Sequence, residues 1–129
     1  MKKELDYVEV LYDEKLKPFT DYPNRLSNYI FNTNNMKVSD KIIELGCGRG
    51  EFLKGFSNLG LDCYGLDKSD YAKKICQNVK IFQNDITIDK IPVEDNFFDF
   101  VYSKSFIEHF YCPEKVFKEI YRVLKPGGV

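Results

Sequence analysis

From Lys41 onward, short apolar runs alternate with stretches in which apolar residues recur every three or four positions, an alternation that predicts βαβ units around a parallel sheet. Lys41–Leu45 reads as the first strand and Gly46–Gly50 as a tight loop. Phe52, Leu53, Phe56 and Leu59 then mark the inner side of a helix that Gly60 ends. A second strand is expected over Asp62–Leu66, followed by a helix capped by Ser69 with Tyr71, Ala72 and Ile75 facing inward. Lys80–Gln83 supplies a third strand, the charged stretch Asp85–Asn96 a surface loop, and Phe98–Ser103 a fourth strand. Pro113 opens a last helix with Val116, Phe117, Ile120 and Leu124 on one face, and Lys125-Pro126-Gly127-Gly128 stops it.

The chain before Lys41 is patterned differently. It is rich in Tyr, Lys and Asp, and only Asn24–Phe31 has the apolar spacing of a short amphipathic helix, ended by the polar run Asn32–Asn35. The expected division is therefore a helical lead-in or lid over residues 1–36 and a core over 37–129. A parallel sheet stopping at its fourth strand would leave an open edge, so the core reads as incomplete, to be covered by a partner or a second copy.

Composition narrows the class. With 129 residues, 43% of them apolar and 30% charged, the chain suits one globular domain rather than two. Its net charge of -1 offers no global field for nucleic acid or an anionic membrane. No apolar run follows the charged opening Met1–Asp6, so neither a leader nor a membrane span is expected, and the default compartment is the cytosol. The four cysteines are far apart and His109 is the single histidine, which argues against a zinc site and for reduced thiols. Cys47 lies in the glycine loop, where it either faces a ligand or is a small buried thiol.

The strongest chemical signal is the run from Ile42 to Phe52, an apolar strand entering glycines at 46, 48 and 50 and then a helix. Glycines so spaced remove the side chains that would hold a ligand off the backbone, and the helix start offers free N–H groups. A dinucleotide fingerprint would need Gly or Ala where this chain has Glu51, whose carboxylate opposes a pyrophosphate. Asp67, at the end of the second strand, lines the same crevice and is suited to accept both hydroxyls of a ribose; a solvated aspartate beside a helix is the bland alternative. Asn84-Asp85-Ile86, just beyond the third strand, places a carboxylate acceptor and an apolar side chain where an adenine needs one of each, unless it is a plain turn.

Taken together, these residues resemble the class I S-adenosylmethionine-dependent methyltransferases, in particular their small-molecule members. Glu44-Leu45-Gly46-Cys47-Gly48-Arg49-Gly50 is similar to that family's first motif, Phe98–Ser103 to its fourth strand, and Arg122–Gly128 to the stretch before its fifth. The resemblance covers about residues 40–129. It implies a Rossmann-like α/β fold, a mostly parallel sheet with helices on both faces, lacking here the strands that follow the fourth. It also implies S-adenosylmethionine as cofactor. Gly46, Cys47, Gly48 and Gly50 would pass under its methionine part, with Glu44 ordering that loop. Asp67 would hold the ribose, Asp85 the adenine amino group, Ile86 and Lys68 the ring flanks, and Ser103 would lie near the methyl.

Methyl transfer from a sulfonium is an in-line displacement that needs alignment and exclusion of water, with a base useful where the acceptor must lose a proton. His109, in Ile107-Glu108-His109-Phe110 after the fourth strand, is the candidate base, against the reading that it packs beside the cofactor or caps the next helix. Tyr12, Tyr22 and Arg25 are candidate lid residues, or simple packing residues. The expected activity is methyl transfer to a small-molecule acceptor, with no nucleic acid or membrane partner. The alternatives are a non-catalytic cofactor-binding or interaction module completed by a partner, and a nucleotide-binding oxidoreductase domain, which Glu51 disfavours.

Overall fold

The computed structural model describes residues 6–129. Four parallel strands, β1 (Lys41–Leu45), β2 (Asp62–Asp67), β3 (Lys80–Gln83) and β4 (Phe100–Ser103), form one sheet in the order β3-β2-β1-β4. Around them lie α1 (Tyr7–Leu11), α2 (Tyr22–Thr33), α3 (Glu51–Asn58) and α4 (Glu114–Val123). This is the Rossmann-like arrangement expected. The strand order reverses beside β1, and in such sheets ligands bind at the carboxyl ends of the strands near that reversal.

Each sheet face carries its own core because the central strands are apolar on both sides. Ile42 and Cys63 face α3, where Leu53 and Phe56 close the layer with Met36 and Leu61. Ile43, Leu45, Tyr64 and Leu66 face the opposite way, onto Val116 and Val123 of α4 together with Ile86, Ile91 and Phe98. Gly65 is where β2 meets the first layer most tightly. A Cβ there would lie 2.8 Å from Ile81 Cδ1 and 2.9 Å from both Cys47 Sγ and Leu53 Cδ2. All three atoms belong to packed side chains, so Gly65→Ala is expected to cost about 1–3 kcal/mol of overpacking, read as a lower midpoint in urea with an unchanged slope.

Several elements depart from the periodicity. The segment after β2 forms only a single 3₁₀ turn, Tyr71–Lys74, instead of a helix; Ser69 does accept the Tyr71 N–H at 3.0 Å. Of its side chains, Ala72 and Cys76 are buried, against the expected Tyr71, Ala72 and Ile75. The short connection to β3 spends its contacts on Gly50, where a Cβ would meet Ala72 Cβ at 2.9 Å and Cys76 Sγ at 3.0 Å. β4 begins two residues late because Phe98 is engaged elsewhere. Its N–H and that of Phe97 donate to Val123 O at the end of α4, and its carbonyl accepts from Lys125.

The buried face of α4 also differs. Val116, Glu119 and Val123 are buried, while Phe117, expected inside, is 52% exposed. Phe117 lies about 100° round the helix from Val116, off the stripe that Ile120 and Val123 continue. Glu119 can occupy that stripe because it is fully paired. It accepts from Ile91 N at 2.9 Å and from Arg122 Nε and Nη2 at 2.8 and 2.9 Å.

In the lead-in, α2 is longer than its periodicity suggested, with Pro23 in its first turn, where a missing N–H is harmless. It packs against α3 where Gly55 leaves room for Ser27 Oγ. α1 falls within the expected helical lead-in but outside Asn24–Phe31, the one stretch there whose spacing predicts a helix. Its five residues bury Val8 alone, and Asp6 caps it by accepting the Val8 N–H at 2.8 Å.

Candidate functional site

Two adjoining cavities lie at the carboxyl ends of β1, β2 and β4. The larger, about 780 Å³, is walled by Leu66, Ile86, Phe110 and Val116 with Asp67, Lys68, Asn84 and Asp85. The smaller, about 390 Å³, follows the glycine loop from Glu44 to Phe52 and reaches Tyr12, Lys17, Lys104 and Ser105. Tyr7, Asp67, Phe106 and His109 border both, so the two form one trough with a waist at these four residues.

The loop from β1 to α3 turns through left-handed backbone at Gly46 and Gly50, with φ of 72° and 83°, which other residues adopt only with strain. A Cβ on Gly46 would sit 2.3 Å from Phe106 Cδ2, so the Phe106 ring covers the first glycine. Nothing lies within 4 Å of the corresponding position on Gly48, which leaves the middle of the loop open. The Gly48 N–H donates to Asp67 Oδ2 at 2.9 Å.

Asp67 is the centre of the arrangement and is 2% exposed. Its Oδ1 accepts from Ser69 N at 2.9 Å and from the hydroxyl of Tyr7. Burial and this bond to the carboxylate push the Tyr7 hydroxyl well above its usual pKa, so it stays protonated and donating. Glu44, behind the loop, is fully enclosed. Burial, with the charges of Asp67 and Glu51, raises its pKa well above the usual carboxyl range, against the Lys104 charge and a backbone hydrogen bond from Leu53 in the first turn of α3. Its Oε1 has no partner among the described residues.

On the other side of the waist, Asp85 Oδ1 accepts from Thr87 N and Oγ1 at 3.0 and 2.6 Å, and Oδ2 lies 3.6 Å from Lys68 Nζ. The Thr87 hydroxyl is the main cause that lowers the Asp85 pKa. Asn84 Oδ1, buried beside it, is unpartnered among the described residues. Ile86 contributes an apolar wall.

The structure separates some of the sequence candidates. Cys47 borders the smaller cavity, but its thiol is packed against Gly65, and burial raises its pKa so that it remains a thiol. Ser103 ends β4 in register with Leu45 and does not border the trough, whose nearby wall is Lys104, Ser105 and Phe106. His109 stands at the waist on the 3₁₀ turn Ile107–His109, while Glu108 borders neither cavity. Of the candidate lid residues, Tyr12 reaches the smaller cavity. Tyr22 stacks edge-on against Phe52 at 6.0 Å, and Arg25 is exposed near Asp21.

Three contributors escaped sequence reasoning: Tyr7, Phe106 and Arg49. Arg49 is 6% exposed; it pairs with Glu51 at 2.7 Å, donates to the carbonyls of Tyr12 and Lys17, and stacks on Phe19 at 4.1 Å. A polar residue between two loop glycines carries a signal for such anchoring, whereas nothing in the periodicity around Tyr7 marks it.

Comparison with known proteins agrees with this geometry. The family described as Methyltransferase domain matches residues 43–129. A sterol 24-C-methyltransferase of Schizosaccharomyces pombe is 32% identical over 117 residues, which are 81% of this chain and 30% of that protein. Phosphoethanolamine N-methyltransferase 2 of Caenorhabditis elegans is 29% identical over 127 residues, 91% of this chain and 26% of that one. This chain thus spans about a third or less of the length of these curated relatives. Among solved structures, a Methanococcus maripaludis protein taken to be an S-adenosyl-L-methionine-dependent methyltransferase superposes with a TM-score of 0.80 at 20% identity, over 99% of this chain and 64% of that one. With the glycine loop, the acidic end of β2 and the strand order all in agreement, the chain belongs to the methyltransferase domain family and has the class I fold.

Proposed function

We propose that this chain is the cofactor-binding core of an S-adenosylmethionine-dependent methyltransferase acting on a small molecule. The observation that carries the reading is the trough itself, an open glycine loop and an apolar recess joined at one buried carboxylate. Asp67 is suited to grip a ribose, since a carboxylate accepts from two neighbouring hydroxyls. Ile86, Leu66 and Phe110 offer apolar contact to an adenine, and the acceptors Asp85 and Asn84 Oδ1 lie beside them. The unpartnered Glu44 Oε1 behind the smaller cavity fits the ammonium of a methionine moiety, a cation that would supply the missing partner.

Bound there, the cofactor supplies a methyl already activated by its sulfonium. The protein's part is to align an acceptor and exclude water, and Phe106 over Gly46 forms the apolar wall at that point. His109 at the waist serves as the base where the acceptor is a hydroxyl or an amine. Relatives named for a sterol and for phosphoethanolamine support a small-molecule acceptor for this chain too. No described helix is long and apolar enough to cross a membrane. The four free cysteines fit a reducing compartment, the cytosol.

Thermal unfolding with S-adenosylhomocysteine against NAD tests the reading. At about a hundredfold excess over Kd, the former is expected to raise Tm by roughly 10 °C and NAD to leave it unchanged. A shift with NAD alone would replace this reading with the oxidoreductase one.

A further inference from the structure

A ribose diol brings two donors to a carboxylate, one for each oxygen. On Asp67, Oδ2 holds one bond, from Gly48 N, and has an acceptor position to spare. Oδ1 already holds two, from Ser69 N and from the Tyr7 hydroxyl. The Ser69 amide is fixed by the turn after β2, so only Tyr7 can give way. The Tyr7 side chain also borders both cavities, in the waist that an adenosyl compound would have to cross.

The attachment of α1 is of a kind that can release. Val8 is its one buried side chain, and α1 is tied to the segment after β2 by Asp6 Oδ2 accepting from Ser69 Oγ at 2.6 Å and by Glu9 paired with Lys74 at 2.7 Å. The last is a solvent-exposed ion pair, of the class that contributes little. The segment after α1 is held quite differently. The buried Arg49 guanidinium binds the carbonyls of Tyr12 and Lys17 and lies on the Phe19 ring. A five-residue helix with a single buried side chain is thus joined to a strap anchored by a buried guanidinium, with the junction at Tyr12–Asp13.

We propose that α1 is a gate that competes with the cofactor: the Tyr7 hydroxyl holds the ribose position on Asp67 and is exchanged for a ribose hydroxyl when α1 swings about its junction with the Arg49-anchored strap. The proposal rests on the reading of Asp67 as the ribose acceptor. Affinity is then reduced by the fraction of molecules in which α1 is closed, and weakening closure raises it.

Calorimetric Kd values for S-adenosylhomocysteine test the gate on the wild type, Tyr7→Phe, Lys74→Gln and Asp67→Asn. Tyr7→Phe keeps the ring and removes the competing bond, so binding tightens by roughly tenfold. Lys74→Gln loosens α1 without touching the trough and tightens binding about twofold. Amide exchange gives a second readout, since Val10 and Tyr12 donate within α1 to Asp6 O and Val8 O. Saturating ligand is expected to speed exchange at both. Unchanged or weaker binding by Tyr7→Phe, or slower exchange in α1 with ligand, overturns the gate while loss of binding in Asp67→Asn keeps the ribose reading. Binding by Asp67→Asn equal to wild type overturns both.

Discussion

Asp67→Asn is expected to weaken binding of S-adenosylhomocysteine by on the order of 100-fold, the largest effect on function that a single substitution here should have. The change keeps the shape of the side chain and turns one of its two acceptor oxygens into a donor. That NH₂ must face Gly48 N on one side or Ser69 N on the other, both of them backbone donors that cannot accept. Some stability is lost with affinity, about 2 kcal/mol for a buried donor left facing a donor. Titration calorimetry well below Tm therefore reads the affinity, and the melting curve without ligand reads the stability. A ligand affinity that survives the substitution would leave the buried carboxylate as a purely structural clamp on the glycine loop.

The largest expected effect on stability lies away from the trough, in Arg122→Met. Arg122 binds both oxygens of Glu119, donates to the carbonyls of Ile91 and Val93, and meets Asp95 at 3.0 Å. Glu119 is 7% exposed, so removing Arg122 leaves a nearly buried carboxylate with only the Ile91 N–H to balance it, at a cost of about 3 kcal/mol. Acid unfolding adds a signature. The hydrogen bond from Arg122 is the main cause holding the Glu119 carboxyl below the usual carboxylate range. A carboxyl lowered on folding contributes stability that is present above its unfolded pKa and is lost as pH falls through the folded one. In Arg122→Met that contribution is gone, so acid unfolding should begin at higher pH than in the wild type. Urea midpoints collected from pH 7 down to pH 3 would show it, and curves parallel to wild type would assign the pairing to the surface.

The two substitutions mark what was open to sequence reasoning. Asp67 was legible because it ends an apolar strand a fixed distance beyond a glycine loop, and the parallel sheet brings those two ends together. Glu119 was not. Its place on the buried stripe of α4 depends on Arg122 one turn later and on the Ile91 backbone far earlier in the chain, and periodicity favoured Phe117 instead. The same logic applies within the trough. Gly46, Gly48 and Gly50 announce an unusual backbone, whereas the Phe106 ring over Gly46 is a contact across sixty residues. Ser103 could be counted to the end of β4, but the direction of the wall beyond it turns on the left-handed Ser105.

By itself, the order of apolar runs, glycines and acidic strand ends determined the βαβ core and the end of the sheet at which the glycine loop and Asp67 meet. Strand period and loop glycines are local properties, written in consecutive residues. Only the tertiary structure decided that α1 exists and that Tyr7 reaches Asp67. A five-residue helix with one buried side chain has too little periodicity to be seen, and it is held by Ser69, Asp67 and Lys74, groups some sixty residues away. Such contacts arise only when the sheet has already brought distant segments together.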